Sequence, residues 1–114
     1  MKNKISDRER LLHILDAINT IQNFSKGITY EQYTEDLKLR LALVKLFEII
    51  GEAAGGLSDK TIRKFSDVEW PVLKSVRNVL VHEYFGIDYK IIWNSIHNKI
   101  PELKQNLEKI LKDL

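Results

Sequence analysis

Cysteine is absent from the 114-residue sequence, and glycine and proline are scarce, with 5 and 2 residues. Without thiols the chain forms no disulfides, and thiolate catalysis and cysteine-based zinc sites are excluded. So few chain-breaking residues argue against a many-turned β fold and favour helices. The motifs GxxxxGK[ST], GxGxxG and GxSxG are also missing, which removes the common phosphate loops and the nucleophile elbow.

Long uninterrupted apolar runs are missing as well. The most hydrophobic stretch, LRLALVKLFEII, is interrupted by Arg40, Lys45 and Glu48, and the start, MKNKISDRER, has no apolar signal-peptide core. We therefore expect a cytoplasmic protein without membrane contacts. With 18 Lys and Arg against 16 Asp and Glu, the net charge is +2, so the strongly basic balance of a duplex-DNA binder is absent and no DNA partner is expected.

What the chain does contain is a high apolar fraction, 44%, beside 30% charged residues, which is enough for one packed core with a solvated surface. Cap signals and apolar spacing mark the helices. Ser6 with Glu9 predicts the first start, and Gly27 the first end. A second capping pattern, Thr29 with Gln32, opens a long helical stretch that reaches about residue 54 and bends near residue 34.

The second half of the chain continues this pattern. A short helix is expected around Ser58 to Lys64, with Ser58 and Thr61 as cap candidates. Pro71 suits the first turn of a fourth helix. A fifth starts near Asp88, and Pro101 either kinks it or restarts it. The sequence therefore predicts an all-α fold, a single up-and-down bundle of about five helices with residues 1–114 in one domain.

The helical stretch 37–54 has apolar residues over half of its circumference or more, which favours a central helix that also forms a dimer interface. Glu48 and Glu52 lie one turn apart and could pair two carboxylates, but Lys45 shares their stripe, which favours a solvated charged face. His13 and His97 are interpreted as ordinary surface or boundary residues. No histidine and acid cluster has metal-binding spacing, so neither a metal nor a cofactor is expected.

The segment RNVLVHEYF, residues 77–85, has the densest set of chemical groups in the chain. Within eight positions it has a guanidinium at Arg77, an amide at Asn78, an imidazole at His82 and a phenol at Tyr84. On a straight helix Arg77 and Tyr84 lie about 20° apart, whereas His82 is about 140° from Arg77. The guanidinium and the imidazole can therefore converge either where the helix unwinds near residues 81–83 or across a two-fold axis.

A purely structural interpretation of this segment stays open at this point. Tyr84 and Phe85 can be core aromatics, Arg77 a surface cation, and His82 a C-terminal cap that interacts with the helix dipole.

The string RNVLVHEY reads as RxxxxHxY, and it resembles the signature of HEPN-domain proteins of the HepT toxin type. Asn78 after the arginine also matches that family, as do the flanking strings FEIIGEAAGGLS and WPVLKSVRN. The similarity extends over nearly the whole chain and includes the expected HEPN-like layout of five helices.

The resemblance implies a homodimeric, metal-independent endoribonuclease toxin whose two motif copies share one cleft. In this sequence His82 would act as general acid or base on the ribose 2′-hydroxyl and Arg77 would hold the scissile phosphate. Asn78 would orient one of these groups or the substrate. Tyr84 would accept AMP from an MNT-type (MntA-like) nucleotidyltransferase antitoxin, which silences the toxin. Glu83 either raises the pKa of the His82 imidazole or simply faces solvent, and the second is the preferred interpretation.

Two other functions remain as alternatives. A non-catalytic nucleotide-binding or scaffold partner of a nucleotidyltransferase is slightly favoured by the low net charge of +2, because an RNA-cutting surface usually carries more cations. A plain dimeric helical adaptor would require the motif to be coincidental.

Overall fold

The protein is all-helical over the residues that the computed structural model describes, which are 6–74, 76 and 86–114. The predicted all-α class is therefore confirmed for this part of the chain, which contains no strand. The helices are α1 (Asp7–Ser25), α2 (Tyr30–Glu35), α3 (Leu37–Gly55), α4 (Asp59–Lys64), the helical residues 70–74 (α5), α6 (Tyr89–Asn98) and α7 (Ile100–Asp113).

The capping signals predicted from the sequence are confirmed at three helix starts. The Ser6 hydroxyl accepts a hydrogen bond from the Glu9 backbone N–H at 3.1 Å. At Thr29 the capping box is complete, because Thr29 Oγ1 accepts from Gln32 N at 3.1 Å and Gln32 Oε1 accepts from Thr29 N at 2.9 Å. Ser58 caps α4 in the same way, accepting from the Thr61 N–H at 3.3 Å. Each bond satisfies one of the amide donors that a helix start leaves without an intrahelical partner.

The long second helix of the prediction is instead two helices. Asp36 adopts an extended conformation between α2 and α3, and its carboxylate caps α3 by accepting from Leu39 N at 3.0 Å. Arg40, in the first turn of α3, donates from Nη1 to the carbonyl of Tyr33 at 3.0 Å and to that of Thr34. Because both new helix ends are satisfied, the chain breaks at residue 36 where a bend near Thr34 was expected.

Later boundaries follow the sequence more closely. Gly56 ends α3, donating its N–H to the carbonyls of Ala53 and Ala54, and Asp88 caps α6. At Pro101 the chain restarts, because α6 ends at Asn98 and α7 begins at Ile100 with the proline in its first turn. The proline lacks an N–H that an uninterrupted helix would need, whereas a first turn does not use it.

Helix α3 lies at the centre of the bundle and packs against α1, α2 and α6, as its broad apolar arc predicted. The core is built from its inner face and from the inward residues of α1, α6 and α7. Its fully buried aliphatic members are Leu11, Ile14, Ile18, Ile21, Leu43 and Leu107. Each such side chain contributes about 1.5–3 kcal/mol to folding by leaving water, so this cluster dominates the stability of the fold.

No helix within the described ranges is long and apolar enough to cross a membrane. The single-domain organisation and the homodimer remain predictions.

Candidate functional site

The four predicted site residues, Arg77, Asn78, His82 and Tyr84, lie outside the described residues, as does Glu83. The structure describes the helical residues that precede them, up to position 76, and the chain from Gly86 onward. The site is therefore approached from these two flanks.

The flank before the motif is anchored by Trp70. Its side chain is 1% exposed, and its indole Nε1 donates to the Phe65 carbonyl at 2.9 Å. Leu73 and Val76 are half-buried against the core from the following turn. Since Val76 directly precedes Arg77, the chain enters the motif from a helix held by a buried aromatic ring.

The flank after the motif is fixed by a cap and by the core. Asp88 Oδ1 accepts from the backbone N–H groups of Lys90 at 3.0 Å and Ile91 at 3.3 Å, which defines the start of α6. Ile92 and Ile96, on the inner face of α6, are buried. The motif therefore connects two helical segments that each contribute side chains to the same core.

A groove of about 340 Å³ borders the first flank. Its walls are mainly apolar and come from α3, α5, α6 and α7, with Phe47, Ile50, Leu73, Val76, Ile91 and Leu103 among them. Its polar lining includes the carboxylates of Asp67, Glu69 and Glu102 and one ammonium, that of Lys99. A rim with this excess of negative charge repels phosphate, so the groove does not have the chemistry of an RNA-backbone site.

The charged stripe on α3 is solvated only in part: Lys45 is exposed, whereas 21% of the Glu48 side chain is exposed. Lys45 Nζ lies 3.6 Å from Glu48 Oε2, with the lysine side chain 70% exposed, and Glu52 is exposed one turn later. Among the described residues no group of three or more histidine, aspartate or glutamate side chains is arranged to hold a metal ion.

Of the described histidines, His13 is exposed on α1, as predicted. His97 is also exposed, but it is not isolated. Its Nδ1 lies 2.9 Å from the Trp93 carbonyl oxygen, and its ring centroid is 4.5 Å from that of Trp93. The sequence interpretation of His97 as a plain surface residue missed this contact.

The Trp93 ring is part of a larger set that we call the aromatic cluster, formed by Tyr30, Tyr33, Trp93 and His97. Ring centroids are 4.8 Å apart for Tyr33 and Trp93, 5.9 Å for Tyr30 and Trp93, and 6.2 Å for the two tyrosines. The spacings of three within α2 and four within α6 indicate two same-face pairs. That the two pairs meet follows from tertiary packing, which no local pattern reveals.

Tyr33 is the buried member of the aromatic cluster. It is 0% exposed, and its hydroxyl donates to the Tyr89 carbonyl at 2.6 Å. Burial raises the pKa of Tyr33 to about 12, because a phenolate would be poorly solvated there. The phenol is thus neutral and a permanent donor at physiological pH.

A second polar contact missed by the sequence interpretation joins α1 to α4. The Asp7 carboxylate accepts from Ser58 N at 3.1 Å, from Ser58 Oγ and from Thr61 Oγ1. These hydroxyl hydrogen bonds lower the pKa of Asp7 below its usual value. We interpret the contact as structural, because it joins the first turn of α1 to the start of α4 and both carboxylate oxygens already accept hydrogen bonds.

The comparison with protein families gives one match, to the family described as "Ribonuclease HepT-like", over residues 14–110. That range includes the whole of the 77–85 segment and both of its flanks.

Individual relatives agree with the family match. The chain is 40% identical to "Putative RNase TTE0752" of Caldanaerobacter subterraneus subsp. tengcongensis, over 92% of this chain and 94% of the relative. It is 36% identical to "Putative RNase MJ0127" of Methanocaldococcus jannaschii, over 94% and 88% of the two chains. It is 33% identical to "Probable ribonuclease HepT" of Thermococcus cleftensis, over 96% and 99%. No solved structure gives a significant match.

Proposed function

Because the chain belongs to the ribonuclease HepT-like family, we propose that it is a cytoplasmic endoribonuclease that uses Arg77 and His82 and needs no metal ion. The observation that carries the proposal is the family match over residues 14–110, which contains the intact RxxxxHxY string. Relatives that cover nearly the whole chain are named as ribonucleases, which supports the same activity.

The proposed reaction is attack of a ribose 2′-hydroxyl on the adjacent phosphorus. The His82 imidazole removes the hydroxyl proton as the new O–P bond forms, and the bond to the 5′-oxygen of the next nucleotide breaks. That oxygen takes a proton, which leaves a 2′,3′-cyclic phosphate and a free 5′-hydroxyl. Arg77 binds two phosphate oxygens with its guanidinium fork and stabilises the charge that develops on them. Asn78 orients the histidine or the substrate.

The test compares purified parental protein with His82→Ala and Arg77→Ala on single-stranded RNA, in the presence of EDTA. Both substitutions are expected to abolish cleavage, and the parental products are expected to end in cyclic phosphate. His13→Ala is the matched control, because that histidine is exposed on α1, and it should cut like the parent. Parental-rate cleavage by His82→Ala would refute the mechanism.

An arginine-to-lysine exchange sharpens the role of Arg77. Arg77→Lys keeps the charge but loses the planar fork, so its activity is expected between that of the parent and that of Arg77→Ala. Activity of Arg77→Lys equal to the parent would mean that only charge is needed at this position.

We further propose that the enzyme acts as a homodimer with one motif from each subunit facing a shared cleft. Leu37 and Leu41, one turn apart on α3, are 56% and 52% exposed, and such unpaired apolar side chains support a self-association face. Leu41→Glu is expected to shift the protein toward monomer in analytical ultracentrifugation. A parental protein that sediments as a monomer at all concentrations would rule out the dimer.

The biological role that we propose is that of a toxin controlled by an MNT-type nucleotidyltransferase antitoxin, which transfers AMP to the Tyr84 hydroxyl. The adduct would place bulk and negative charge close in sequence to Arg77, where it competes with RNA phosphate. Incubation with the cognate transferase and ATP should raise the mass of the parent by AMP units but leave Tyr84→Phe unchanged. Labelling of Tyr84→Phe would contradict this assignment.

The alternative is a non-catalytic partner of the same transferase, and the net charge of only +2 favours it. It predicts complex formation with the transferase without RNA cleavage by either protein. Induced expression separates the two functions: parental protein should arrest growth and His82→Ala should not, whereas a scaffold would make the two strains alike.

A further inference from the structure

The aromatic cluster has more exposed ring surface than is needed to hold α2 against α6. Tyr33 is the buried contact between α2 and α6, because it is 0% exposed and its hydroxyl donates to the Tyr89 carbonyl. Tyr30 packs on the outside of this anchor, 5.9 Å from the Trp93 ring, with 43% of its surface exposed. Trp93 is half-buried and His97 is exposed. Three rings therefore present edges or faces to solvent around one buried tyrosine.

Exposed polar residues form a strip beside the Trp93 ring on α6. Lys90 and His97 lie about 60° and 40° from Trp93 around the helix, and Asn94, between them in sequence, lies about 100° from it. Helix α6 has no acidic residue between Tyr89 and Asn98. The Lys90 ammonium therefore lies next to the indole on the helix surface, and the Asn94 amide lies at the far edge of the strip.

The acidic residues of α2 lie elsewhere. At 100° per residue, Glu31 lies about 100° from Tyr30 and about 160° from Tyr33, and Glu35 lies about 140° and about 160° from them. The two α2 carboxylates therefore lie off the centre of the face shared by Tyr30 and Tyr33.

The nearby charges are of both signs: Lys90 and Arg40 are cations, and the Asp88 carboxylate, which caps α6 at Lys90 N, also acts on Tyr33. His97 adds a further polar group beside the rings. Its Nδ1–H donates to the Trp93 carbonyl, which leaves Nε2 for a ligand.

We infer that the aromatic cluster is a stacking platform for an unpaired RNA base, with Tyr30 and Trp93 contacting the base and Lys90 contacting the neighbouring phosphate. Proteins that bind single-stranded nucleic acid combine exposed aromatic rings with nearby cations. The rings stack on the π face that every base has, and the cations bind the phosphates. The inference rests on the proposed ribonuclease function, since it adds a second contact for the same substrate. It places that contact on the helix that directly follows the motif in the chain.

A protein partner is the less favoured occupant of this face. The strip on α6 has the exposed polar residues Lys90, Asn94 and His97 beside the Trp93 ring, whereas the centre of a protein interface is depleted in charge and broadly apolar. A nucleic-acid strand, with its bases and phosphates, fits the pattern better.

The intrinsic fluorescence of the protein makes the platform directly observable. The chain has 2 tryptophans; Trp70 is 1% exposed and buried in the core, whereas Trp93 lies in the platform. The probe is a twelve-nucleotide 2′-O-methyl oligoadenylate, whose blocked 2′-oxygen prevents the proposed cleavage, so binding is measured independently of activity. An abasic oligomer of the same length and charge tests whether the bases matter.

The expected result is quenching of Trp93 fluorescence by the oligoadenylate and much less by the abasic oligomer. Tyr30→Ala should weaken binding by about tenfold, as expected for the loss of one stacked base, whereas Tyr30→Phe should bind like the parent. Leu12→Ala is the control, because Leu12 on α1 is 42% exposed, close to the 43% of Tyr30. Trp93→Phe should remove the quenching signal but keep most of the affinity.

Three results would overturn the inference. The first is equal affinity for the oligoadenylate and the abasic oligomer, and the second is unchanged affinity in Tyr30→Ala. The third is a change of oligomeric state in Tyr30→Ala without a change in RNA affinity, which would assign the face to contacts between copies. Cleavage assays on unmodified RNA are scored separately: a parent that binds through Tyr30 but never cuts would refute the ribonuclease and leave the platform standing.

Discussion

The two shortest complete helices in the described part of the chain, α2 and α4, are attached to the rest of the bundle in different ways. Each has six residues and begins at a capping hydroxyl, Thr29 for α2 and Ser58 for α4. A helix this short does not persist in water by itself, so each depends on its attachment to the rest of the bundle.

Helix α4 is attached by directional polar bonds. The Asp7 carboxylate, in the first turn of α1, accepts from Ser58 and Thr61, and these partners satisfy both of its oxygens. A carboxylate there also interacts favourably with the positive end of the α1 dipole.

Helix α2 is attached by a buried ring and one hydroxyl. Tyr33 fills the core side, and Arg40 closes the C-terminal end of the helix by donating to the Tyr33 and Thr34 carbonyls. The exposed neighbour Tyr30 adds aromatic surface outside this anchor. The hydrogen bonds to Asp7 thus occupy the polar groups that attach α4, whereas the aromatic attachment of α2 leaves the Tyr30 ring exposed, on the surface that we propose stacks an RNA base.

The largest effect expected from breaking either attachment is that of Tyr33→Ala. Removing a fully buried aromatic side chain should lower the free energy of unfolding by about 3–5 kcal/mol, from lost burial and the cavity left behind. Urea denaturation followed by circular dichroism measures the change. Tyr30→Ala, one turn earlier and 43% exposed, should cost less than about 1 kcal/mol, and equal losses for the two variants would contradict the assigned anchor.

The next effect is alkaline destabilisation through the same tyrosine. Its pKa is about 12 in the folded protein against 10.0 for a free phenol, so the raised value favours the neutral form. Stability from this group is complete below pH 10 and is lost as the pH rises toward 12, by about 2–3 kcal/mol in all. Tyr33→Phe, which has no ionisable group, should lose less stability over the same interval; parallel curves for parent and variant would argue against the burial effect.

The attachment of α4 through Asp7 is expected to contribute less to the free energy of unfolding than Tyr33 does, and to be lost at acid rather than alkaline pH. Asp7→Asn should cost about 1–2 kcal/mol at neutral pH, because hydrogen bonds to a charged acceptor are lost. The hydroxyl partners lower the pKa of Asp7, so its contribution is present above the unfolded value and disappears as the pH falls through the folded one.

Acid unfolding of the variant should therefore start from a lower stability but decline less steeply than in the parent. Asp16→Asn is the control, since Asp16 is exposed further along α1, and it should follow the parent. If Asp7→Asn and Asp16→Asn behave alike, the carboxylate does not hold α4.

Contacts of the fold could be predicted from the sequence where the residues that form them are close together in the chain. The caps at Ser6, Thr29 and Ser58 were predicted because the donor and acceptor are three residues apart. The break at Asp36 was missed, although its cap to Leu39 has the same spacing, since the apolar pattern runs on across it. The attachment of Asp7 to Ser58, 51 residues away, and that of Tyr33 to Tyr89, 56 away, have no local signature.

For the candidate site the balance is different. The chemical groups of Arg77 and His82 and the family they indicate were evident from spacing and flanking sequence, and the family is confirmed over residues 14–110. Their relative position stays a prediction, because a separation of five residues on a helix leaves the side chains on different faces. The aromatic cluster was not predicted, because the pair on α2 (Tyr30 and Tyr33) and the pair on α6 (Trp93 and His97) form one surface only after the two helices pack together.

The smallest effects are expected at the glycines that precede the two short helices. Gly27, before α2, has φ +72°, and an added Cβ would meet nothing within 4 Å. Gly27→Ala is therefore strained only by its backbone and should cost about 1 kcal/mol. Gly56, before α4, has φ −96°, which any residue adopts, and the three atoms nearest to an added Cβ there belong to the Arg10 guanidinium.

That guanidinium is flexible and can swing outward when Gly56 is replaced. Its Nε, buried without a hydrogen-bond partner in the described structure, then becomes hydrated. Gly56→Ala should therefore change the free energy of unfolding by less than about 0.5 kcal/mol. The double variant Arg10→Ala, Gly56→Ala, measured by the same urea titration, isolates the contact; a Gly56→Ala loss larger than that of Gly27→Ala would show that Arg10 is held rigidly in place.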